Sequence, residues 1–532
     1  MASIVRQKVG GKVYLYESIS YRNKDGKPRN TRRPIGKIDP VTGQPVYKPE
    51  YLDRMAADGR PIIAMPVTFP SIFTVEDIVR SSIREYGSFY LFQQLAEKMG
   101  LLRVLRKALP GCWEEVFNLA AYLIATGDPF AYCEDWLAST ETFSVGQMTS
   151  QRISELLAGI THREREDFYQ LWCSLRSEVE YLALDITSTS SYSELIDSVA
   201  WGYNRDRENL PQINICLLMG HKSRYPIYQN VYNGSLNDVT TLQTTIKTFQ
   251  ALAGKKKMIT VMDKGFFSMK NINAMLSEQQ HVDFIIAVPF TNKFAKSLVK
   301  SESKDIDTLH NTIVHGKESL RAITKLRRWN NDHKVYAHVY YNARKVQGIR
   351  EDVYAHVAIL REQAMEHPEQ FVNNSAYTKY LIIRRSEKEN TGYTVNLRED
   401  VVAAELETAG WLIVISNCVT NAKEAIKIYR EKDIVEKGFM RLKNSLDLGR
   451  LRVHSEKSMQ NKVFIGFISL ILLSGIHNIM VDKKLYTKMT MRKLILTLSR
   501  LKLQVVNRVR VLFPVTKEQR SIYEAFGIQE PV

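Results

Sequence analysis

The chain is poor in cysteine, and its five cysteines stand far apart in the sequence. No two of them are spaced as Cys-x-x-Cys, which excludes the usual zinc clasp and the thiol–disulfide exchange motif. This pattern is typical of reduced thiols, so we expect a cytoplasmic protein. The five positions are Cys112, Cys133, Cys173, Cys216 and Cys418.

The sequence also lacks an apolar stretch long enough to cross a bilayer. Its most apolar run, Val463 to Leu473, is shorter than the roughly 20 residues that a membrane helix needs. We therefore predict that this run is a buried helix and that the protein has no membrane partner. The first residues, Met1 to Gln7, carry no apolar segment of the secretory type, so no signal peptide is expected.

Acidic residues are outnumbered: 57 Asp and Glu stand against 74 Lys and Arg, a formal net charge of +17. The excess lies at the ends, with 11 basic and 4 acidic residues in 1–50, and 11 and 2 in 481–520. Such ends favour an anionic partner, of which nucleic acid is one. A solvated basic surface is the alternative that charge alone leaves open.

What the chain does have is enough apolar sequence for several cores, because 532 residues with a 44% hydrophobic share exceed one ordinary domain. Changes of pattern along the chain predict six regions. They are a basic β-rich unit with a hairpin (1–70), a helical domain (71–176), the first part of an α/β core (177–289), a β-rich insertion (290–405), the last core strand with a long helix (406–455) and a helical region (456–532).

The predicted core has three strands followed by a helix, a strand, a helix and a strand, an order typical of an α/β fold. The expected strands are Val179–Ile186, Ile213–Met219, Ile227–Val231, Met258–Met262 and Phe284–Val288, and the helices are Asp238–Leu252 and Met269–Leu276. Later elements are the strands Lys334–Tyr341, Lys379–Arg384 and Trp411–Ile415, and one helix from about Asn421 to Leu446.

Two aspartates close apolar strands in this prediction. Asp185 ends the first strand, and Asp263 ends the fourth. A carboxylate at the end of a core strand is costly unless its charge has a use, and holding a hard cation such as Mg²⁺ is one. A helix N-cap or a turn is the alternative, and for Asp263 alone it is at least as good an explanation.

The predicted long helix adds a third acid. At about 100° per residue, Tyr429, Lys432, Glu436 and Lys443 fall within an arc of roughly 60°. Apolar residues fill the neighbouring arc, so Glu436 would lie at the border between core and solvent. From this helix alone, a surface stripe of salt bridges explains the pattern better.

Taken together, these residues resemble the ribonuclease-H-like DDE transposases of bacterial insertion sequences. The resemblance is closest to the group whose last helix carries Tyr, two residues, Arg, three residues, Glu, six residues and Lys. Tyr429, Lys432, Glu436 and Lys443 have this spacing, with lysine in place of the arginine. Further segments similar to the family are Gly202–Asp206 with Leu210–Ile213, Tyr232–Asp238 and Asp263–Phe266.

The resemblance implies a ribonuclease-H-like catalytic core interrupted by a β-rich insertion, with N-terminal β-hairpin and helical DNA-binding regions and a helical C-terminus. It implies that Asp185, Asp263 and Glu436 are the catalytic and metal-binding residues. They would hold two Mg²⁺ or Mn²⁺ ions per active site. One ion would activate water or a DNA 3′-OH, and the other would stabilise the leaving oxygen. The reaction would be cleavage at terminal inverted repeats followed by strand transfer.

The implied partners are double-stranded DNA, as transposon ends and as target, and a second copy of the chain, since two ends must be joined. By the resemblance, Tyr429, Lys432 and Lys443 would bind DNA phosphates, although Lys432 lacks the planar fork of arginine. Further candidates, for which an exposed charge run is an equal alternative, are Arg450, Arg452 and His454.

Three other functions compete with this one. A metal-dependent nuclease that cuts without joining would share the same acids. A catalytically silent, transposase-derived DNA-binding protein would share the fold, although the three acids at motif positions disfavour it. A basic structural protein would explain the charge alone. If the resemblance holds, the protein is bacterial and DNA-associated.

Overall fold

The computed structural model divides into two compact units, Met1–Ile83 with Leu503–Phe513, and Arg84–Lys502 with Pro514–Val532. Val179, Met258 and the predicted boundary at residue 70 lie outside the described residues. The structure describes residues 2–10, 12–23, 26–39, 45–57, 81–176, 180–206, 208–253, 259–278, 281–316, 318–330, 332–385, 392–506 and 509–532.

The N-terminal residues form a small antiparallel sheet in the order β1-β2-β3-β4. Strand β2 pairs antiparallel with both β1 and β3. Leu15 and Ile35 from the sheet and Tyr51 from the following helix make a small apolar core. The elements are β1 (Ala2–Val9), β2 (Lys12–Arg22), β3 (Pro28–Ile38), β4 (Pro45–Tyr47) and α1 (Pro49–Ala57).

A short strand, β5 (Ser82–Glu85), precedes a run of helices that agrees with the helical pattern of the sequence. Gly127 has a left-handed backbone (φ 76°) and ends α4. The helices are α2 (Gly87–Lys98), α3 (Leu101–Ala108), α4 (Trp113–Thr126), α5 (Cys133–Ser139), α6 (Ser150–Gly159) and α7 (His162–Leu175).

A nine-stranded sheet forms the centre of the larger unit, in the order β11-β12-β13-β16-β10-β9-β6-β7-β8. Strand β9 pairs in parallel with β6 and β10, and the other pairs are antiparallel. The strands after β5 are β6 (Tyr181–Ser190), β7 (Gln212–Gly220), β8 (Pro226–Asn233), β9 (Ile259–Met262), β10 (Asp283–Ala287), β11 (Thr312–His315), β12 (Glu318–Arg328), β13 (Lys334–Tyr341), β14 (Leu381–Arg385), β15 (Tyr393–Leu397) and β16 (Trp411–Ser416).

The predicted order of three strands, helix, strand, helix and strand is confirmed by β6 to β10 with α8 (Asp238–Ala253) and α9 (Met269–Leu276). The prediction that Asp185 closes its strand is wrong, because β6 continues to Ser190. Residues 187–190 are Thr and Ser, and they are buried and paired with β7. These polar residues end the apolar run in the sequence, but the strand continues through them.

The interruption after β10 is not a separate β-rich domain. Its strands β11 to β13 extend the central sheet through β16, and most of the rest is helical or belongs to the hairpin β14–β15. Its longest helix, α11, buries only Val357, Leu360 and Ala364. The other residues of this helix are mostly exposed and many are charged, so the sequence pattern resembles that of charged loops. The helices are α10 (Lys293–Glu302), α11 (Ala343–Glu366), α12 (Pro368–Phe371), α13 (Ser375–Thr378) and α14 (Glu399–Leu406).

The predicted helix from Asn421 to Leu446 is two helices, α15 (Ala422–Arg430) and α16 (Asp433–Ser445). At the break, the backbone N–H groups of Lys432 and Val435 bond three residues back, to Tyr429 and Lys432. This tight turn replaces the spacing of a continuous α-helix. The 60° arc therefore does not describe how Tyr429 relates to Glu436.

The C-terminal region is mostly helical, but it contains a hairpin that the sequence did not predict, β17 (Lys502–Val506) and β18 (Val509–Leu512). The buried helix expected at Val463 to Leu473 is present inside α17 (Glu456–Asp482). By length and composition α17 could cross a bilayer, but 83% of its most apolar window is buried within the protein. The last helices are α18 (Met491–Ser499) and α19 (Lys517–Phe526).

Helix α16 lies close to the sheet because residue 438 is a glycine. A Cβ atom there would lie 2.6 Å from Sδ of Met219 and 3.1 Å from Cδ2 of Leu217, both on β7. Leu217 is the ladder partner of Asp185. The glycine therefore sets how closely the helix that carries Glu436 approaches the strands that carry the aspartates.

We predict that Gly438→Ala destabilises the protein, although alanine normally stabilises a helix interior by about 1 kcal/mol relative to glycine. The new methyl group has to displace Met219, and overpacking of this kind costs roughly 1–3 kcal/mol. Gly348→Ala in α11 is the matched control, because no atom lies within 4 Å of its Cβ position. Urea unfolding should show a gain for Gly348→Ala and a loss for Gly438→Ala; equal gains would contradict the close packing.

Candidate active site

Asp185 and Asp263 lie at the same level on neighbouring parallel strands. The ladder between β6 and β9 pairs Leu184 with Met262, and each aspartate is the next residue of its chain. Adjacent strands are about 4.8 Å apart. Beyond Met262 the chain turns into a short 3₁₀ helix, Lys264–Phe266, so Asp263 stands at the exit of its strand beside Asp185.

The turn between α15 and α16 links these aspartates to Glu436. The hydroxyl of Tyr429 donates a hydrogen bond to Oδ1 of Asp263 (2.7 Å). Nζ of Lys432 donates to Oε1 of Glu436 (2.9 Å). Burial and the Asp263 carboxylate raise the pKa of Tyr429 above its usual value. The phenol therefore keeps its proton and remains a donor to Asp263.

Lys432 acts as the common counter-charge of the site. Burial opposes its charge, but the hydrogen bond that it donates to Glu436 and the carboxylates of Asp263 and Asp185 raise its pKa above the usual value. Only 15% of its side chain is exposed. The ammonium group is therefore held in its charged form by all three predicted acids, and it lies within electrostatic range of each.

The carboxyl of Asp185 is poorly solvated. Burial raises its pKa to about 6, and the charge of Asp238 adds to the increase. The backbone N–H of Ile186, Arg205 and Lys432 act in the opposite direction. A carboxylate in this setting is at high energy when ionised, so it gains from a nearby cation.

Two further charged residues belong to the site, and the sequence did not single them out. Nη2 of Arg205 contacts both carboxylate oxygens of Asp238 at 2.7 Å, and its backbone N–H donates to Ser188 on β6. Asp238 also lies against the loop after Asp263, because a Cβ at Gly265 would be 2.9 Å from its Oδ2. Arg205 and Asp238 lie in two of the segments that resemble the family, Gly202–Asp206 and Tyr232–Asp238. That resemblance could have identified both residues.

The remaining predicted DNA-binding residues are mostly paired with acids. Nζ of Lys443 donates to Asp206 (2.6 Å), and only 14% of its side chain is exposed. Both terminal nitrogens of Arg450 donate to Glu208, and Arg452 pairs with Asp447. His454 is exposed. The structure thus brings Tyr429 and Lys432 to the acids and holds Lys443, Arg450 and Arg452 in separate ion pairs.

The fit of these residues to a divalent metal is partial. Carboxylate oxygens are the donors that Mg²⁺ prefers, and the site offers them from Asp185 and Asp263 side by side. Glu436, however, is bound to Lys432 and its side chain is 54% exposed. Within the described ranges of the chain, no three His, Cys, Asp or Glu side chains are grouped to hold a metal ion.

A comparison with protein families decides the identity. The family described as "Transposase DDE domain" matches residues 181–472, which is more than half of the chain. The chain belongs to the DDE transposase family. This transposase domain begins with β6, ends within α17 and contains Asp185, Asp263 and Glu436.

No curated protein matches this transposase. Among solved structures, one similar chain is the piggyBac transposase in a cryo-EM structure of its synaptic complex with hairpin DNA. The two chains are 10% identical with a TM-score of 0.37, over 91% of this chain and 82% of that one. A similarity of this size adds nothing to what the family match establishes.

We predict that Asp185→Asn stabilises the transposase at pH 7 in metal-free buffer. Between pH 4 and 6 the folded state keeps a proton that the unfolded state has lost, so the wild-type free energy of unfolding falls as pH rises through this window. From the pKa increase of 3.8 to about 6, the variant should gain up to about 3 kcal/mol above pH 6 and nothing below pH 4.

Urea unfolding at pH 4, 5, 6 and 7 in EDTA measures this difference. Asp197→Asn, at an exposed aspartate outside the site, should leave stability unchanged across the series. Equal stability of Asp185→Asn and wild type at pH 7 would show that Asp185 is not desolvated.

Proposed function

We propose that this transposase cleaves DNA at the ends of its own element and joins the freed 3′ ends to target DNA, with Asp185, Asp263 and Glu436 as the catalytic acids. The observation that carries the proposal is the shared level of Asp185 and Asp263 on adjacent parallel strands. The order β8-β7-β6-β9-β10, three antiparallel strands continued by two parallel ones, supports a ribonuclease-H-like core.

In this proposal Asp185, Asp263 and Glu436 hold two Mg²⁺ or Mn²⁺ ions. Bound there, the ions would lower the pKa of an attacking water or 3′-OH and stabilise the leaving oxygen. Asp185 has the stronger need for a cation, because burial raises its pKa to about 6. Glu436 has to leave Lys432 to join the aspartates, and its exposed side chain is free to turn.

The residues around the acids keep them in place. Tyr429 fixes Asp263 through its hydroxyl, and Arg205 holds Asp238 beside the same loop. When Glu436 turns toward the aspartates, the ammonium of Lys432 loses its partner. It then becomes available to a DNA phosphate next to the cleaved bond, where a point charge can replace the missing arginine fork.

DNA phosphates would compete with the acids that pair Lys443, Arg450 and Arg452, and His454 would extend this basic track. The basic N-terminal unit (1–70) and the helical region (71–176) are our candidates for recognition of the inverted repeats. Two ends have to be held in one complex for joining, so a homodimer on DNA is part of the proposal. The region 456–532 would support that dimer or contact the ends.

A nuclease that cuts without joining is the closest alternative function. It would use the same three acids and the same metal chemistry, so only the fate of the 3′ end separates the two. A strand-transfer assay with pre-cut ends distinguishes them: the transposase inserts these ends into target DNA, and the nuclease does not.

We predict that Glu436→Gln lowers cleavage and strand transfer by at least about 100-fold while DNA binding persists, because the amide keeps the shape but loses the charge that holds metal. Glu424→Gln on the neighbouring helix α15 is the matched control, since Glu424 is exposed. Both are assayed in Mg²⁺ on DNA with the element's own ends, beside gel-shift titrations. Normal cleavage by Glu436→Gln would remove Glu436 from the catalytic set.

Lys443 gives a second test, now of binding. Lys443→Ala should weaken binding to the ends and lower the salt dependence of log K by about 0.9, the loss of one phosphate contact. Asp206→Asn should strengthen binding and increase the salt dependence, because it frees Lys443 from its ion pair. If neither variant changes the binding constant or its salt dependence, the pair is structural and Lys443 does not contact DNA.

A further inference from the structure

A cleft of about 860 Å³ lies along α16, and none of its described lining residues is one of the three acids proposed to be catalytic. Lys437 and Arg441 of α16 line it. At about 100° per residue they point roughly 100° and 140° away from Glu436, whereas Lys443 points within about 20° of it. The helix therefore presents one basic face to the acids and another to this cleft.

The walls of the cleft carry more positive than negative charge. Part of this charge is neutralised, because Arg430 and Lys345 both contact Glu318. Glu431 and Asp433 also line the cleft, and burial lowers the pKa of His221, which contacts Glu431. Another part of the charge is not neutralised. In the part of the chain that the structure describes, the side chains of Lys222, Lys437 and Arg441 form no ion pair, and Arg224 reaches Asp482 only at 3.9 Å.

Among these residues, Arg441 gives the strongest indication of an anion site. Burial lowers the pKa of its guanidinium, and Tyr486 acts in the opposite direction. His477, which bonds to Tyr486 (2.7 Å), has its pKa lowered to about 4 by burial and by the charges of Arg441, Arg224 and Lys437. A desolvated arginine without an acidic partner in a positive region is stabilised by an anion.

We propose that this cleft binds backbone phosphates of a DNA segment other than the one at the catalytic acids. The identity of the anion as DNA rests on the proposed function. The cleft suits a polyanion better than a small organic ligand, because among the described residues only Ile434 and Val481 are apolar in its lining, whereas ligand pockets are mostly apolar. Its cations without an ion pair among the described residues come from two elements, the β7–β8 turn with Lys222 and α16 with Lys437 and Arg441.

The test measures binding of the full-length protein to a fluorescent DNA duplex of arbitrary sequence, without Mg²⁺, at several salt concentrations. Arg441→Gln and Lys437→Glu should each weaken binding roughly tenfold. Each should also reduce the salt dependence of log K by about one contact. Matched controls are Arg361→Gln in α11 and Lys296→Glu in α10, both exposed and outside the cleft. Lys437 is exposed as well, so its substitution leaves folding intact even if that of Arg441 does not.

Two further arms give the remaining outcomes. Glu436→Gln should bind this duplex at least as tightly as wild type, because it removes a negative charge and the ion pair of Lys432, so a failure of catalysis and a failure of the cleft are separate results. Inorganic phosphate should raise the melting temperature of wild type more than that of Arg441→Gln. If phosphate does so while both cleft variants bind DNA normally, the cleft is a site for a small anion, and the proposal is overturned. Wild-type binding by Lys437→Glu at low salt would overturn it too.

Discussion

The site depends on one electrostatic constraint: two carboxylates, Asp185 and Asp263, lie side by side on adjacent strands of a buried sheet. Burial raises the pKa of Asp185 to about 6, and the charge of Asp238 adds to the increase. Hydrogen-bond donors and cations, rather than apolar packing, stabilise these carboxylates. Tyr429 bonds to Asp263, Lys432 offers its charge to both aspartates, and Arg205 is held close by Asp238.

This constraint explains why the chain breaks between α15 and α16. Tyr429 has to reach Asp263 from the end of α15, while Lys432 has to reach Glu436 on α16. The tight turn at residues 431 and 432 lets the chain do both, and Gly438 then allows α16 to settle against β7. A continuous helix would have kept Tyr429, Lys432, Glu436 and Lys443 on one face. It would not by itself have fixed how far each of these side chains lies from the sheet.

The sequence predicted well where apolar runs define an element, as with β7, β13, α9 and α17. It failed where polar groups are satisfied by tertiary contacts. The hydroxyl-rich half of β6 is buried through ladder and side-chain hydrogen bonds, so Asp185 came out in mid-strand. The charged helix α11 has a narrow apolar stripe. The pair of Arg205 and Asp238 joins residues far apart in sequence, and no local pattern can reveal such a pair.

The basic residues of the chain fall into two classes, and the difference bears on how the proposed DNA complex would form. Lys443, Arg450 and Arg452 already have acidic partners, so a phosphate gains from them only what remains after an existing ion pair is broken. Lys437 and Arg441 in the cleft have no such partner among the described residues, so they attract a phosphate at full strength and from a longer range. In the proposed function, DNA therefore meets the cleft first. The paired residues act later, when a correctly placed end brings its phosphates close enough to displace Asp206, Glu208 and Asp447, which makes these pairs a source of selectivity rather than of affinity.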